Sequence, residues 1–70
     1  MTPEELADRI RAEAARYFAT NLDAQAYEHE GKGIRVRATR SPNSAGGIRV
    51  LIWKAGADTR TNPDYDSDQP

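Results

Sequence analysis

Seventy residues with no cysteine and a single histidine allow one small domain, and they exclude disulfides, cysteine zinc sites and histidine-rich metal sites. No apolar run approaches the roughly 18 residues that span a membrane, and the acidic stretch Met1-Thr2-Pro3-Glu4-Glu5 has no secretory pattern, so a reducing, cytoplasmic setting is expected. The net charge of −1 is unevenly laid: residues 1–30 carry seven acids and three bases, residues 31–54 six bases and no acid, and residues 55–70 four acids and one base.

The first predicted element is a helix over about Thr2 to Thr20. Thr2-Pro3-Glu4-Glu5 has the form of a capping box: Thr2 can accept from the third helical amide, and Glu5 can reach back to the Thr2 amide. Leu6, Ile10, Ala14, Tyr17 and Phe18 follow at spacings of three and four, which draws one apolar stripe.

The period then changes to two. Ile34-Arg35-Val36-Arg37-Ala38 alternates as a half-buried strand, and strands are predicted near 34–40 and 48–54. Ser41-Pro42-Asn43-Ser44-Ala45-Gly46-Gly47 between them is loop by composition. A weaker strand around Gln25 to His29 precedes them, joined through a turn with Gly31 and Lys32 at its centre, of type II′.

That turn would set Tyr27 opposite Val36, His29 opposite Ile34 and Glu28 opposite Arg35. An evenly closed second hairpin would set Ala38 opposite Val50, Val36 opposite Ile52 and Arg35 opposite Trp53. Both hairpins then agree on one inner face: Tyr27, Ile34, Val36, Ala38, Ile48, Val50 and Ile52. The expected fold is α+β: one amphipathic helix over a small antiparallel meander, α-β-β-β, forming a single domain over residues 1–55. Residues 56–70 hold scattered Asp, Asn, Ser and Pro and read as a flexible, disordered acidic tail. The alternative for this tail is that it competes for the arginines of the sheet, in the same chain or in another subunit.

The same register collects Arg35, Arg37, Arg49, Leu51 and Trp53 on the outer face. Arginine on the solvent side of a strand is ordinary, and Trp53 could tuck under the chain. As a contact surface, however, Arg and Trp are the types enriched at binding hot spots. With Lys54 at the strand's end, these six residues are the candidate partner-binding set. Strand 48–54 is expected at the sheet edge, where its apolar centre would serve as a partner-binding edge or a homodimer seam.

The partner expected for this surface is a protein with an acidic face. One alternative is a nucleic acid, set back by a sequence pI near 5.7 and by one candidate stacking residue where sheets that bind single strands use two or three; the other is a self-associating structural role. No membrane partner is expected. His29 lies between Glu28 and Glu30, but alternation turns those acids to the other face, so the three do not converge on a metal. His29 reads as a half-buried imidazole at a sheet edge.

No thiol, no Ser or Thr in a nucleophile setting and no phosphate-cradling glycine pattern is present, so neither catalysis nor a cofactor is expected. The general plan resembles that of small phage-encoded accessory proteins. These include inhibitors of bacterial defence complexes, such as anti-CRISPR proteins. They also include head–tail joining proteins, in which an amphipathic helix precedes Arg-rich strands resembling Ile34-Arg35-Val36-Arg37. The resemblance is one of size and style, and it implies a binding or assembly role.

Overall fold

The computed structural model describes residues 2–69. One helix, α1 (Pro3–Thr20), is followed by strands β1 (Ala26–Gly31), β2 (Ile34–Arg40), β3 (Ile48–Lys54) and β4 (Tyr65–Asp66), which form one antiparallel sheet in the order β1-β2-β3-β4. The fold is α+β, as expected, with a fourth strand added. The helix is not apolar enough to cross a membrane.

The capping box closes as the sequence indicates. The Thr2 hydroxyl accepts from the Glu5 amide at 3.2 Å and Glu5 Oε1 accepts from the Thr2 amide at 3.4 Å. The buried stripe is Ala7, Ile10, Ala14 and Phe18. It lies one position away from the expected stripe at its start: Leu6 is half-buried and Tyr17 is exposed. Ala7 and Ala14 sit at the centre because their small side chains let the helix lie close against the sheet, where Val36, Ala38, Ile48, Val50 and Ile52 complete the core.

At its C-terminal end α1 has no basic residue of its own. Arg40 at the end of β2 supplies one. Its guanidinium donates to the carbonyls of Ala24 (2.8 Å), Phe18 (3.2 Å), Asn21 (3.3 Å) and Leu22 (3.4 Å), and stacks over the Phe18 ring at 4.4 Å. A cation there satisfies orphan carbonyls and suits the negative end of the helix.

The β2–β3 register is the one the sequence indicates: Ala38 opposes Val50, Val36 opposes Ile52 and Arg35 opposes Trp53. The β1–β2 register differs. Tyr27 opposes Ala38, His29 opposes Val36 and Glu28 opposes Arg37. The turn centre is Lys32-Gly33, with φ of 53° and 80°, and two positive φ values in a two-residue loop are the type I′ pattern rather than type II′. The slip is two residues, so every side chain stays on its expected face. Glu28 still reaches Arg35, now diagonally, at 3.8 Å.

The acidic C-terminal stretch is not a flexible tail. Asp64 N donates to Ile52 O (2.8 Å) and Ser67 N to Val50 O (2.9 Å), while Val50 N donates to Ser67 Oγ (2.9 Å). Tyr65 packs against the core. β3 is therefore an inner strand along Val50–Ile52 rather than an edge, and the expected dimer seam is filled from within the chain. The edge opposite β4 belongs to β1. The physical reason is that Trp53 and the open backbone groups of β3 have more to gain from cover than the short C-terminal segment loses by ordering.

Candidate functional site

Antiparallel pairing lays the outer face out in rows. Glu28, Arg37, Leu51 and Asp66 lie side by side across the four strands, and Glu30, Arg35 and Trp53 form the next row. Acids from β1 thus flank arginines from β2, and an acid from β4 flanks the apolar and basic residues of β3. The charge blocks that are separate along the chain are neighbours in space.

Arg49 is the clearest case. Its Nε donates to Asp66 Oδ1 at 3.0 Å, its Nη2 donates to Asp66 Oδ2, and its Nε stands 3.5 Å from Asp68 Oδ2. Asp66 is buried. The hydrogen-bonded Arg49 guanidinium holds its carboxyl below the usual carboxylate range, against the opposing pull of burial, with help from the Asp68 amide. Asp68 also accepts from Ser44 Oγ at 2.6 Å, which fastens the C-terminal segment to the 41–47 loop.

Trp53 lies on the outer face as expected, but it is not exposed. It is 3% exposed, and its indole Nε1 donates to Thr61 O at 3.0 Å. The stretch around Thr61 is braced by a turn in which Thr61 N and Oγ1 both donate to Asp58 O (3.0 and 2.6 Å). Arg60 clamps Asp58 through side-chain bonds and its own amide, and these hold the Asp58 carboxyl below its ordinary range, with a smaller pull from Arg35. The surface reading of Trp53 is overturned, because a mostly polar chain segment can still bond the indole N–H and leave the ring buried.

Of the remaining candidates, Arg35 is half-buried and paired with Glu28, and Leu51 is half-buried between Arg37 and Asp66. Arg37 is different. Its Nε is buried with no hydrogen-bond partner among the described residues. Lys54 is exposed, but it opposes Ile34 and so belongs to the helix side, apart from the other five. His29 is exposed rather than half-buried, on the edge strand β1.

A second feature lies on the helix side of that edge. A cleft of about 340 Å³ opens between the N-terminal half of α1 and β1, floored by Leu6, Ile10, Ile34 and Val36. Beyond it Tyr27 donates to Glu13 Oε2 at 3.3 Å; burial, and then the Glu13 charge, push the phenol up from its ordinary value. No group of three or more His, Asp or Glu converges into a metal site among the described residues.

Asp66, Asp68, Thr61 and Ser44 carry the outer-face geometry and were not among the sequence candidates. A signal was present: Asp64, Asp66 and Asp68 alternate with Tyr65 and Ser67, a period of two that sends all three acids to one side of an extended segment. Comparison of the chain with protein-family models, with curated proteins and with solved structures finds no match.

Proposed function

We propose that the chain is a non-catalytic protein-binding module whose contact surface is the outer sheet face around Arg35, Arg37 and Leu51, and whose partner presents an acidic segment. The observation that carries this reading is Arg37. Among the described residues this half-buried guanidinium has no hydrogen bond or ion pair, its Nε being buried without an acceptor, and a cation left unpaired on a face is relieved by a carboxylate brought to its outer nitrogens. The reading is supported by the chain's own C-terminal segment, which lays Asp66 and Asp68 against Arg49. Small inhibitors of host complexes and virion assembly factors fall within this class.

The nucleic-acid alternative has less to stand on. Of the six cations in 31–54, Arg40 is committed to carbonyls at and just beyond the end of α1 and Arg49 to Asp66. Trp53 is covered and offers no stacking platform.

The test is a pair of titrations of isotopically labelled protein at physiological salt, one with a glutamate-rich peptide and one with a single-stranded oligonucleotide. The peptide should shift the Arg35, Arg37 and Leu51 amides, and an Arg35→Gln/Arg37→Gln variant should lose the effect. Binding of the oligonucleotide with steep salt dependence would replace this reading with the nucleic-acid one, and silence in both titrations would reject it.

A further inference from the structure

We propose that the free edge of β1, together with the cleft beside α1, takes up an extended segment of a partner protein in which apolar and basic residues alternate. This edge adjoins the outer-face site, because Glu28 pairs with Arg35, but the proposal does not rest on that reading.

The first observation is the ladder. Arg40 N donates to Gln25 O at 3.3 Å, and the β1–β2 hairpin closes through a two-residue turn between Gly31 and Ile34. In an antiparallel pair the bonded positions alternate, so residues 25, 27, 29 and 31 turn their backbone groups toward β2. Ala26, Glu28 and Glu30 then turn theirs outward, where no strand covers them. An added strand would find this row of donors and acceptors already in place, the mode called strand addition.

The second observation is what flanks the row on each side. On the helix side, the strand parity of Tyr27, His29 and Gly31 points to the cleft floored by Leu6, Ile10, Ile34 and Val36. Gly31 leaves the cleft mouth without a side chain, and only the His29 ring lies near that position, its Nε2 3.5 Å from where a Cβ would stand. An added strand's side chains of that parity would enter a volume whose apolar floor is bordered by Arg9, Glu13, His29 and Lys32. On the outer side stand Glu28 and Glu30, both exposed, with Glu28 Oε2 3.8 Å from Arg35 Nη2 and Glu30 Oε2 accepting from the Gly56 amide at 2.8 Å. Side chains of the other parity would therefore meet two carboxylates, which favours Lys or Arg.

Charge also selects against a second copy of this chain. Two β1 edges paired antiparallel about Glu28 would set Glu28 against Glu28 on one face, and like charges directly opposite are destabilising. Glu28, which opposes itself in that self-pairing, also favours a basic partner.

The experiment uses the full chain and a synthetic, dye-labelled heptapeptide alternating lysine and valine. Three control peptides accompany it: one with glutamate for lysine, one with serine for valine, and one N-methylated on the alternate amides that face the protein. The expected result is micromolar binding, with shifts confined to the amides of Ala26, Glu28 and Glu30 and the methyls of Leu6 and Ile10. Each control peptide should lose about tenfold or more in affinity, about 1.4 kcal/mol. In Glu28→Pro the outward N–H is removed from an edge strand, a position where proline is tolerated, and affinity should fall likewise at an unchanged fold. Should that variant unfold, Glu28→Gln/Glu30→Gln reports the charge contribution alone, expected as a loss of about fivefold. No binding at millimolar peptide, indifference to N-methylation, equal affinity for the glutamate peptide, or self-association through β1 would each overturn the proposal. Shifts at Arg37 and Leu51 report the other face and leave the two readings distinguishable.

Discussion

The indole N–H of Trp53 donates to the Thr61 carbonyl at 3.0 Å, on the face of the sheet turned away from the helix. The only tryptophan of the chain is therefore packed in a second, smaller interior, separate from the core under α1. Removing residues 57–70 should expose it and strip the β3 backbone of its cover. A loss of about 3 kcal/mol is expected from burying a large apolar side chain, which lowers the melting midpoint by roughly 12 °C or more in a domain this small. Trp53→Ala in the full chain should cost about 3–5 kcal/mol. In the truncated chain it should cost much less, because both changes remove the same contact. Additive losses, or an unchanged midpoint on truncation, would contradict the packing described.

Acid should loosen the same segment. The Asp66 carboxyl titrates below its ordinary value because Arg49 hydrogen-bonds it in the folded chain. A depressed folded value means that the contribution is fully present above the unfolded value of about 3.9 and is lost as pH falls through the folded one. Asp66→Asn should thus be less stable than the parent at pH 7, by about 1 kcal/mol given that Arg49 keeps one side in water. The gap should hold down to about pH 4 and close below it. Urea unfolding of both proteins at neutral pH, pH 4.5 and pH 2.5 measures this, and a gap that is constant to the lowest pH would refute it.

Arg40 offers a separate test, of the helix end. Arg40→Met keeps the aliphatic stem but removes the guanidinium that lies over Phe18 and donates to four carbonyls. The expected cost is about 1–2 kcal/mol, seen as faster hydrogen exchange at the C-terminal turn of α1 along with a lower midpoint. Arg40→Lys should recover less than half, since an ammonium cannot spread over the same carbonyls as a planar fork.

Most of the frame was legible from local rules. The helix start follows from Thr2, Pro3 and Glu5, and the β2–β3 register follows from alternation over Ile34–Ala38 and Ile48–Trp53. The first turn was misplaced because Gly31 and Gly33 both offer glycine's freedom, and only pairing along the whole hairpin decides between them. Lys32 is left with a positive φ as a result, so Lys32→Asn should raise stability by about 0.5 kcal/mol in thermal unfolding.

The C-terminal segment was not legible as structure. Composition measures whether a stretch can bury its own apolar surface, and residues 57–69 cannot. They order because they cover someone else's: the Trp53 indole, the Arg49 charge and the open backbone of β3. The outer face changed accordingly. The six bases between 31 and 54 look like a basic patch in sequence, yet pairing places Glu28 by Arg35 and Asp66 by Arg49, and of those six Arg37 is the one with a buried, unmet donor among the described residues.

The account stands on the C-terminal segment closing over the outer face, and hydrogen exchange followed by NMR tests that most directly. The Trp53 indole proton and the Asp64 and Ser67 amides should exchange slowly, near the rate set by global unfolding, with cross-strand proximity between Leu51 and Asp66. Fast exchange at all three, with random-coil shifts over residues 57–69, would return Trp53 and Arg49 to the surface and contradict the account.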